Sequence, residues 1–340
     1  MDEVPAVTNL MDSEAYYTAE GGACYHGDSR DLLDELPDES IDLVVTSPPF
    51  ALNRKKEYGN KDEEDYNEWF IEFAEKVKRV LKPDGSFVVD IGGGWTKGEP
   101  YRSIYHFELL TMLAGSDGPF ELAQDFYWHN PAKLPTPAQW VTIERIRVTD
   151  AVNHVWWFSK GEDGERPEAD NTRVLNEYSD SQKELMENGY KDKKRPSGHD
   201  ISDKFDKPEN GEGSIPDNLI EAANTASNTH YLQACRELDV DSHPARFPRD
   251  LPKFFVKFLT ESPPYEDEDD RPLVLDIFAG SNLTGRVAAD HGRNWMAFER
   301  QKQYVQTSQF RFMEMAAIEQ MVDDEQSDFG DFSTVEPNDD

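Results

Sequence analysis

Of the 340 residues, 37% are apolar and 31% charged, and 69 Asp and Glu against 35 Lys and Arg give a formal charge of −34. That length predicts one large α/β domain or two smaller ones, with enough apolar residues for a core. No run approaches the roughly 18 apolar residues of a membrane span, residues 1–10 (MDEVPAVTNL) lack a basic, apolar leader, and Cys24 and Cys235 alone make neither a disulfide framework nor an all-cysteine zinc site, which predicts a soluble, cytoplasmic chain. The acid recurs in 28–40, 61–76, 266–270 and 322–340, while 11% of residues are aromatic, unlike a disordered acidic chain. Such a spread points to a salt-saturated cytoplasm that screens the repulsion; the alternative is a negative field that seeks basic partners.

In chain order, residues 41–46 (IDLVVT) form a β-branched apolar run, read as a buried strand that stops at Ser47-Pro48-Pro49. Trp69, Phe70, Phe73, Val77, Val80 and Leu81 fall at helical spacing, and 82–85 (KPDG) closes that helix. A second buried strand, 86–91 (SFVVDI), runs into Gly92–Gly94. This alternation predicts a mostly parallel sheet. Residues 141–159 read as two strands around Thr149-Asp150, and 160–215 turn rich in Gly, Pro, Asp, Lys and Asn, as an insertion or recognition module would. The α/β pattern resumes with a helix at 249–260, an acidic linker at 266–270, a strand at 273–278, a helix from Leu283, a strand at 294–298 and a long helix over 301–321. The predicted division is an N-terminal tail (1–22), two halves of one domain (23–160 and 241–322), the region between them (161–240) and a disordered acidic tail (323–340).

Two corners carry chemistry. Ser47 and Pro48 each precede a proline and are held extended, and Pro48 and Pro49 offer no N–H. What remains is a serine hydroxyl and bare carbonyls, a receptor for an exocyclic amine, with Phe50 placed to stack on the ring that carries it. Alone, the segment could equally be a strand-ending turn. The second corner is 275–282 (LDIFAGSN), a strand entering a tight glycine turn before a helix, with Glu299 closing the next strand, a spacing that suits a nucleoside cofactor gripped at its ribose. Neither G-x-G-x-x-G nor a Walker motif is present, and the plain alternative is an ordinary α/β turn.

Together these segments resemble the permuted β class of S-adenosylmethionine-dependent DNA amino-methyltransferases, in which the [SD]-P-P-[YF] motif comes early and the D-x-F-A-G-S-[GN] motif late. Residues 27–50, 128–160, 195–202, 224–235 and 243–260 resemble its cytosine-N4 branch; the match covers most of 25–310, and its specificity lies in five separated segments agreeing in order. Ile277 replaces the family's proline and Asn282 a frequent glycine, the latter tolerable because Asn enters left-handed backbone readily. The resemblance implies a Rossmann-like α/β fold, circularly permuted, with an inserted recognition region, and a haloarchaeal source. It implies catalysis by Ser47, Pro48, Pro49 and Phe50 on a cytosine flipped from double-stranded DNA, with no cysteine nucleophile. S-adenosyl-L-methionine would be held by Asp276, Phe278, Ala279, Gly280, Ser281 and Glu299, with Pro244 and Phe247 flanking it and His243 structural; Asp28 reads either as a group near the adenine or the catalytic edge or as a surface turn carboxylate. Lys193, Lys194 and Arg195, with Ser197 and His199, form a basic island that reads either as the part that meets DNA or as a solvated loop. The resemblance further suggests CTAG as the target, a homodimer and a cognate restriction endonuclease. An adenine-N6 methyltransferase and a non-catalytic acidic DNA mimic are the rival readings.

Overall fold

The computed structural model describes residues 5–51, 63–161, 164–188, 213–267 and 270–323. After a short 3-10 turn at Ala6–Leu10 come β1 (Tyr17–Ala19), β2 (Gly22–His26), α1 (Ser29–Glu35), β3 (Ile41–Thr46), α2 (Glu63–Val80), β4 (Leu81–Ile91), α3 (Tyr105–Ala114), β5 (Glu121–His129) and β6 (Val152–Ser159). Then follow α4 (Asp180–Asn188), β7 (Leu219–Glu221), α5 (His230–Glu237), α6 (Asp250–Phe258), β8 (Leu273–Asp276), α7 (Leu283–Asp290), β9 (Asn294–Glu299), α8 (Lys302–Ser308) and α9 (Met315–Asp323). Among these residues no helix is long and apolar enough to cross a membrane.

The nine strands among the described residues join one mixed sheet in the order β1-β2-β9-β8-β3-β4-β6-β5-β7. Its centre, β2-β9-β8-β3-β4, is parallel throughout; β6 runs antiparallel to β4 and to β5. The carboxyl ends of the parallel strands, the start of β6 and the end of β5 therefore lie along one rim. Strands buried on both faces need apolar residues at every position rather than at alternate ones, which is why IDLVVT and SFVVDI read as unbroken runs.

Each face carries its own core. Phe70, Phe73 and Val77 of α2 and Leu109 of α3 pack with Val44, Phe87 and Leu275 on one side. On the other, Phe255 and Val256 of α6 and Val287 and Ala288 of α7 pack with Leu43, Val45 and Trp295. The chain thus leaves β3 for one face and β8 for the opposite face. Since β3 and β8 are neighbours, their carboxyl ends open a crevice at the point where the winding reverses, the usual place for a ligand in an open α/β sheet.

Several boundaries depart from expectation. Residues 141–159 hold one strand, β6; its expected partner is a wide helical turn at Gln139–Ile143 within a loop, because Ile143, Ile146 and Val148 face solvent and no sheet edge receives them. The predicted helix over 301–321 breaks after α8 into a 3-10 turn at Gln309–Arg311 before α9, where the Arg311 side chain turns inward to the Ser281 carbonyl and hydroxyl (2.5 and 2.7 Å). Residues 82–85 lie inside β4 instead of separating it from α2, absorbed by a slip in pairing from Ile41–Leu81 to Leu43–Ser86. The strand expected to reach 278 ends at Asp276. Within 161–240, β7 extends the sheet beside β5 and α5 packs on α9 through Tyr231, Cys235 and Ile318.

Candidate active site

The two corners meet. Thr46 Oγ1, at the last position of β3, donates to Asp276 Oδ1, at the last position of β8, across 2.7 Å. The same carboxylate accepts from Phe278 N (3.0 Å) and Thr284 Oγ1 (2.7 Å). Burial pushes the Asp276 carboxyl up to about 6 against these donors. Directly above lies a cavity of about 370 Å³ whose walls include Ser47–Phe50 from one corner and Ile277–Ser281 from the other.

On the first wall, Ser47 Oγ donates to Asp90 Oδ2 (3.0 Å) and Asn153 Nδ2 donates to Asp90 Oδ1 (3.2 Å). Asp90 sits one residue before the end of β4 and is buried, and desolvation pushes its carboxyl up to about 6; the Asn153 and Ser47 hydrogen bonds and the charge of Lys133 oppose that rise. Lys133 is itself half-buried and held below its ordinary value, chiefly by burial. The Phe50 ring lies so close to Gly92 that a Cβ there would fall 2.5 Å from it, and the Tyr105 hydroxyl donates to the Gly92 carbonyl. Glycine at 92 is thus a requirement of the ring's position. Asp90, Lys133 and Asn153 went unread in the sequence. Asp90 had a signal, a carboxylate inside a run otherwise buried and apolar, where Asp is seldom found without a purpose; Lys133 and Asn153 had none.

The second wall is built around the glycine turn. Gly280 has φ +51°, and a Cβ on it would press His243 at 3.0 Å. Its N–H donates to Glu299 Oε2 (2.8 Å), while Gln301 N donates to Oε1 (2.7 Å). Burial raises the Glu299 carboxyl against those two bonds. Asn282 is left-handed (φ 51°, ψ 47°), as its residue type allows, and its side chain caps α7 by accepting from Gly285 N. Phe278 packs at a tilt against Trp69 and Phe73, with ring centroids 5.7 and 5.0 Å away.

Of the residues singled out for a cofactor, Asp28, Phe278, Ala279, Gly280, Ser281, Glu299, Pro244 and Phe247 all line this cavity. Asp276 does not; it is a strut beneath the floor. Asp28 caps α1, and the Arg30 side chain bonded to it holds its carboxyl below the usual range. His243, which also lines the cavity, stands edge-on to Tyr304 at 4.4 Å while its main-chain N–H donates to the Tyr231 hydroxyl. Lys193, Lys194, Arg195, Ser197 and His199 lie outside the described residues.

A family described as DNA methylase, the N6/N4 methyltransferases, matches residues 41–310. The type II methyltransferase M.PvuII of Proteus hauseri is 52% identical over 311 residues, covering 91% of this chain and 88% of its own. M.BglII of Bacillus subtilis is 27% identical, covering 83% and 66%. Among solved structures, the PvuII DNA methyltransferase (cytosine-N4-specific) superposes with a TM-score of 0.71 at 43% identity over 92% of this chain and 96% of its own. The M1.HpyAVI–SAM complex superposes at 0.50 with 17% identity over 85% and 98%, a likeness of fold.

Proposed function

Because the chain belongs to the N6/N4 family of DNA methylases, we propose that it transfers a methyl group from S-adenosylmethionine to the N4 amine of a cytosine flipped out of double-stranded DNA. The observation that carries this reading is the single cavity walled by Ser47–Phe50 and by the turn at 278–281, with Thr46 bonded to Asp276 below it. The cavity is of ligand size. Its second wall suits this cofactor: Glu299 presents a fixed carboxylate to ribose hydroxyls, Phe278 an apolar face to adenine, and Ala279, Gly280 and Ser281 a turn narrow enough for the methionine part. Pro244, Phe247 and Asp28 close its sides. When bound, S-adenosylmethionine supplies the methyl as an electrophilic carbon on positive sulfur.

Everything else is the work of the chain's own groups. The lone pair of a cytosine amine is delocalised into its ring, so attack requires the nitrogen to pyramidalise. Ser47 Oγ and the Pro48 carbonyl accept its two hydrogens, and Phe50 stacks on the ring, a contact of about 1–3 kcal/mol. As the nitrogen–methyl bond forms, sulfur keeps the electrons of the bond that breaks. The surplus amine proton passes to Ser47 Oγ, whose own proton moves to Asp90. A carboxyl titrating near 6 is ionised at neutral pH and so ready to receive it.

The order of the two corners along the chain supports the permuted class, the pervasive acid a salt-adapted host, and the relatives' type II naming a partner endonuclease. The island at 193–199 would meet phosphates, and a homodimer is part of this reading. Incubation with duplex DNA and S-adenosylmethionine, followed by mass spectrometry of the nucleosides, tests it. N4-methylcytosine is expected; N6-methyladenine would move the assignment to the rival base, and calorimetry without S-adenosylmethionine binding would favour a DNA mimic. Base-resolved sequencing of the host genome reads the target, CTAG or another.

A further inference from the structure

The loop that replaced an expected strand, residues 130–151, begins and ends at the cavity. Asn130 and Lys133 on its entering arm and Asn153 just past its exit all line that cavity, and Asn130 N donates to Ala151 O (2.9 Å) to close its neck. It is firmly tied. Ile146 N and Arg147 N both donate to Trp140 O (2.9 and 3.2 Å). Arg147 donates to Pro100 O (2.9 Å), pairs with Asp150 (3.0 Å) and lies over the Trp95 ring, while Arg102 pairs with Asp150 from the neighbouring stretch (3.3 Å).

So ordered a loop nevertheless turns its apolar side chains outward: Val148 is 83% exposed, Leu134 75%, Ile143 67% and Ile146 58%. Its charge is equally out of keeping with the rest of the molecule. Residues 126–161 contain two acids, Glu144 and Asp150, in a chain that carries 69 among 340, and Asp150 is neutralised by two arginines. A surface poor in acid, with Glu144 its one exposed carboxylate and exposed Arg145 beside it, at the mouth of a pocket, is complementary to a polyanion. Exposed aliphatic side chains there match the wedges with which proteins part stacked base pairs.

We propose that residues 130–151 form the element that opens the duplex, with Ile143, Ile146 and Val148 entering the stack beside the target and Arg145 holding the adjoining backbone. The inference rests on the methyltransferase reading and adds how the base leaves the helix. A base must be unstacked before it reaches Ser47, at a few kcal/mol for an intact pair and less for a mismatched one. Losing the wedge therefore harms only the substrate that still needs opening.

The test compares the doubly substituted chain Ile146→Ser/Val148→Ser with the unsubstituted one. Two duplexes carry the site mapped by sequencing, one fully paired and one with a mismatch opposite the target base. Both side chains are exposed, so folding should be kept, and serine adds no charge to repel DNA. The expected result is a fall in kcat/KM of about 30-fold on the paired duplex and under about 3-fold on the mismatched one, with S-adenosylmethionine affinity unchanged. Equal losses on both duplexes, or none on either, would overturn the proposal. So would a substituted chain that sediments as a monomer where the unsubstituted one is a dimer while methylating both duplexes normally, since the patch would then join two copies. If the unsubstituted chain methylates neither duplex, the methyltransferase reading itself falls, and this inference with it.

Discussion

Replacing Asp90 by Asn should make the protein more stable and nearly inactive. The carboxyl titrates near 6 rather than at its ordinary 3.8, chiefly because it is buried. A carboxyl raised in this way favours the fold fully below pH 4, and that contribution is lost as pH climbs through 6. Roughly two units amount to about 3 kcal/mol at pH 8. An amide escapes that penalty but has one acceptor oxygen where Ser47 and Asn153 now occupy two, and a lost hydrogen bond returns about 1 kcal/mol. The net gain of about 2 kcal/mol corresponds to a Tm higher by roughly 3 °C for a chain of this length. Turnover should fall about 100- to 10,000-fold with the proton acceptor gone. Single-turnover methyl transfer from pH 5 to 9 reads both effects: Asp90 gives a rate that rises through about 6 and levels off, whereas Asp90→Asn gives a flat, low profile. A variant that melts below the parent, or turns over within tenfold of it with the same rising limb, would refute the reasoning.

Ser47→Ala should leave S-adenosylmethionine binding intact by calorimetry and lower turnover about 100-fold, the lower end for a lost proton-transfer group. Gly92→Ala drives a Cβ into the Phe50 ring; calorimetry should find cofactor affinity unchanged while KM for DNA rises, because only the stacking surface moves. Thr46→Val takes one donor from the buried Asp276 carboxylate and should lower stability by about 1–3 kcal/mol in urea. Across a KCl series the salt-adapted reading expects activity to persist at high salt; a maximum near ~0.1 M with none at ~2 M, around the concentrations where screening lengths fall from about 10 to under 3 Å, would contradict it.

The two corners were legible because their chemistry is local: proline restricts its predecessor, a glycine turn follows a buried strand, and Asn282 could be assigned a left-handed backbone from its residue type alone. Asp276 was legible as important and misplaced in detail, since facing the cavity or the floor is decided by strand register, here by the hydroxyls of Thr46 and Thr284. Asn153 and Lys133 were beyond reach, because only the pairing of β6 with β4 and β5 brings them to Asp90. The error over 141–148 is of another kind. Alternating apolar residues predict a strand when they are buried, and Ile143, Ile146 and Val148 are not. Binding can demand the same pattern as burial, and a sequence does not distinguish the two.

The short bond between Thr46 and Asp276 has a consequence for speed as well as for shape. Two reactants free to wander relative to each other must lose that freedom on the way to reaction, and effective molarities near 10⁵–10⁸ M measure what a rigid framework saves. Here the two corners are held in register before any guest arrives, by the backbone pairing of β3 with β8 and by the Thr46 hydroxyl donated to Asp276 beyond it.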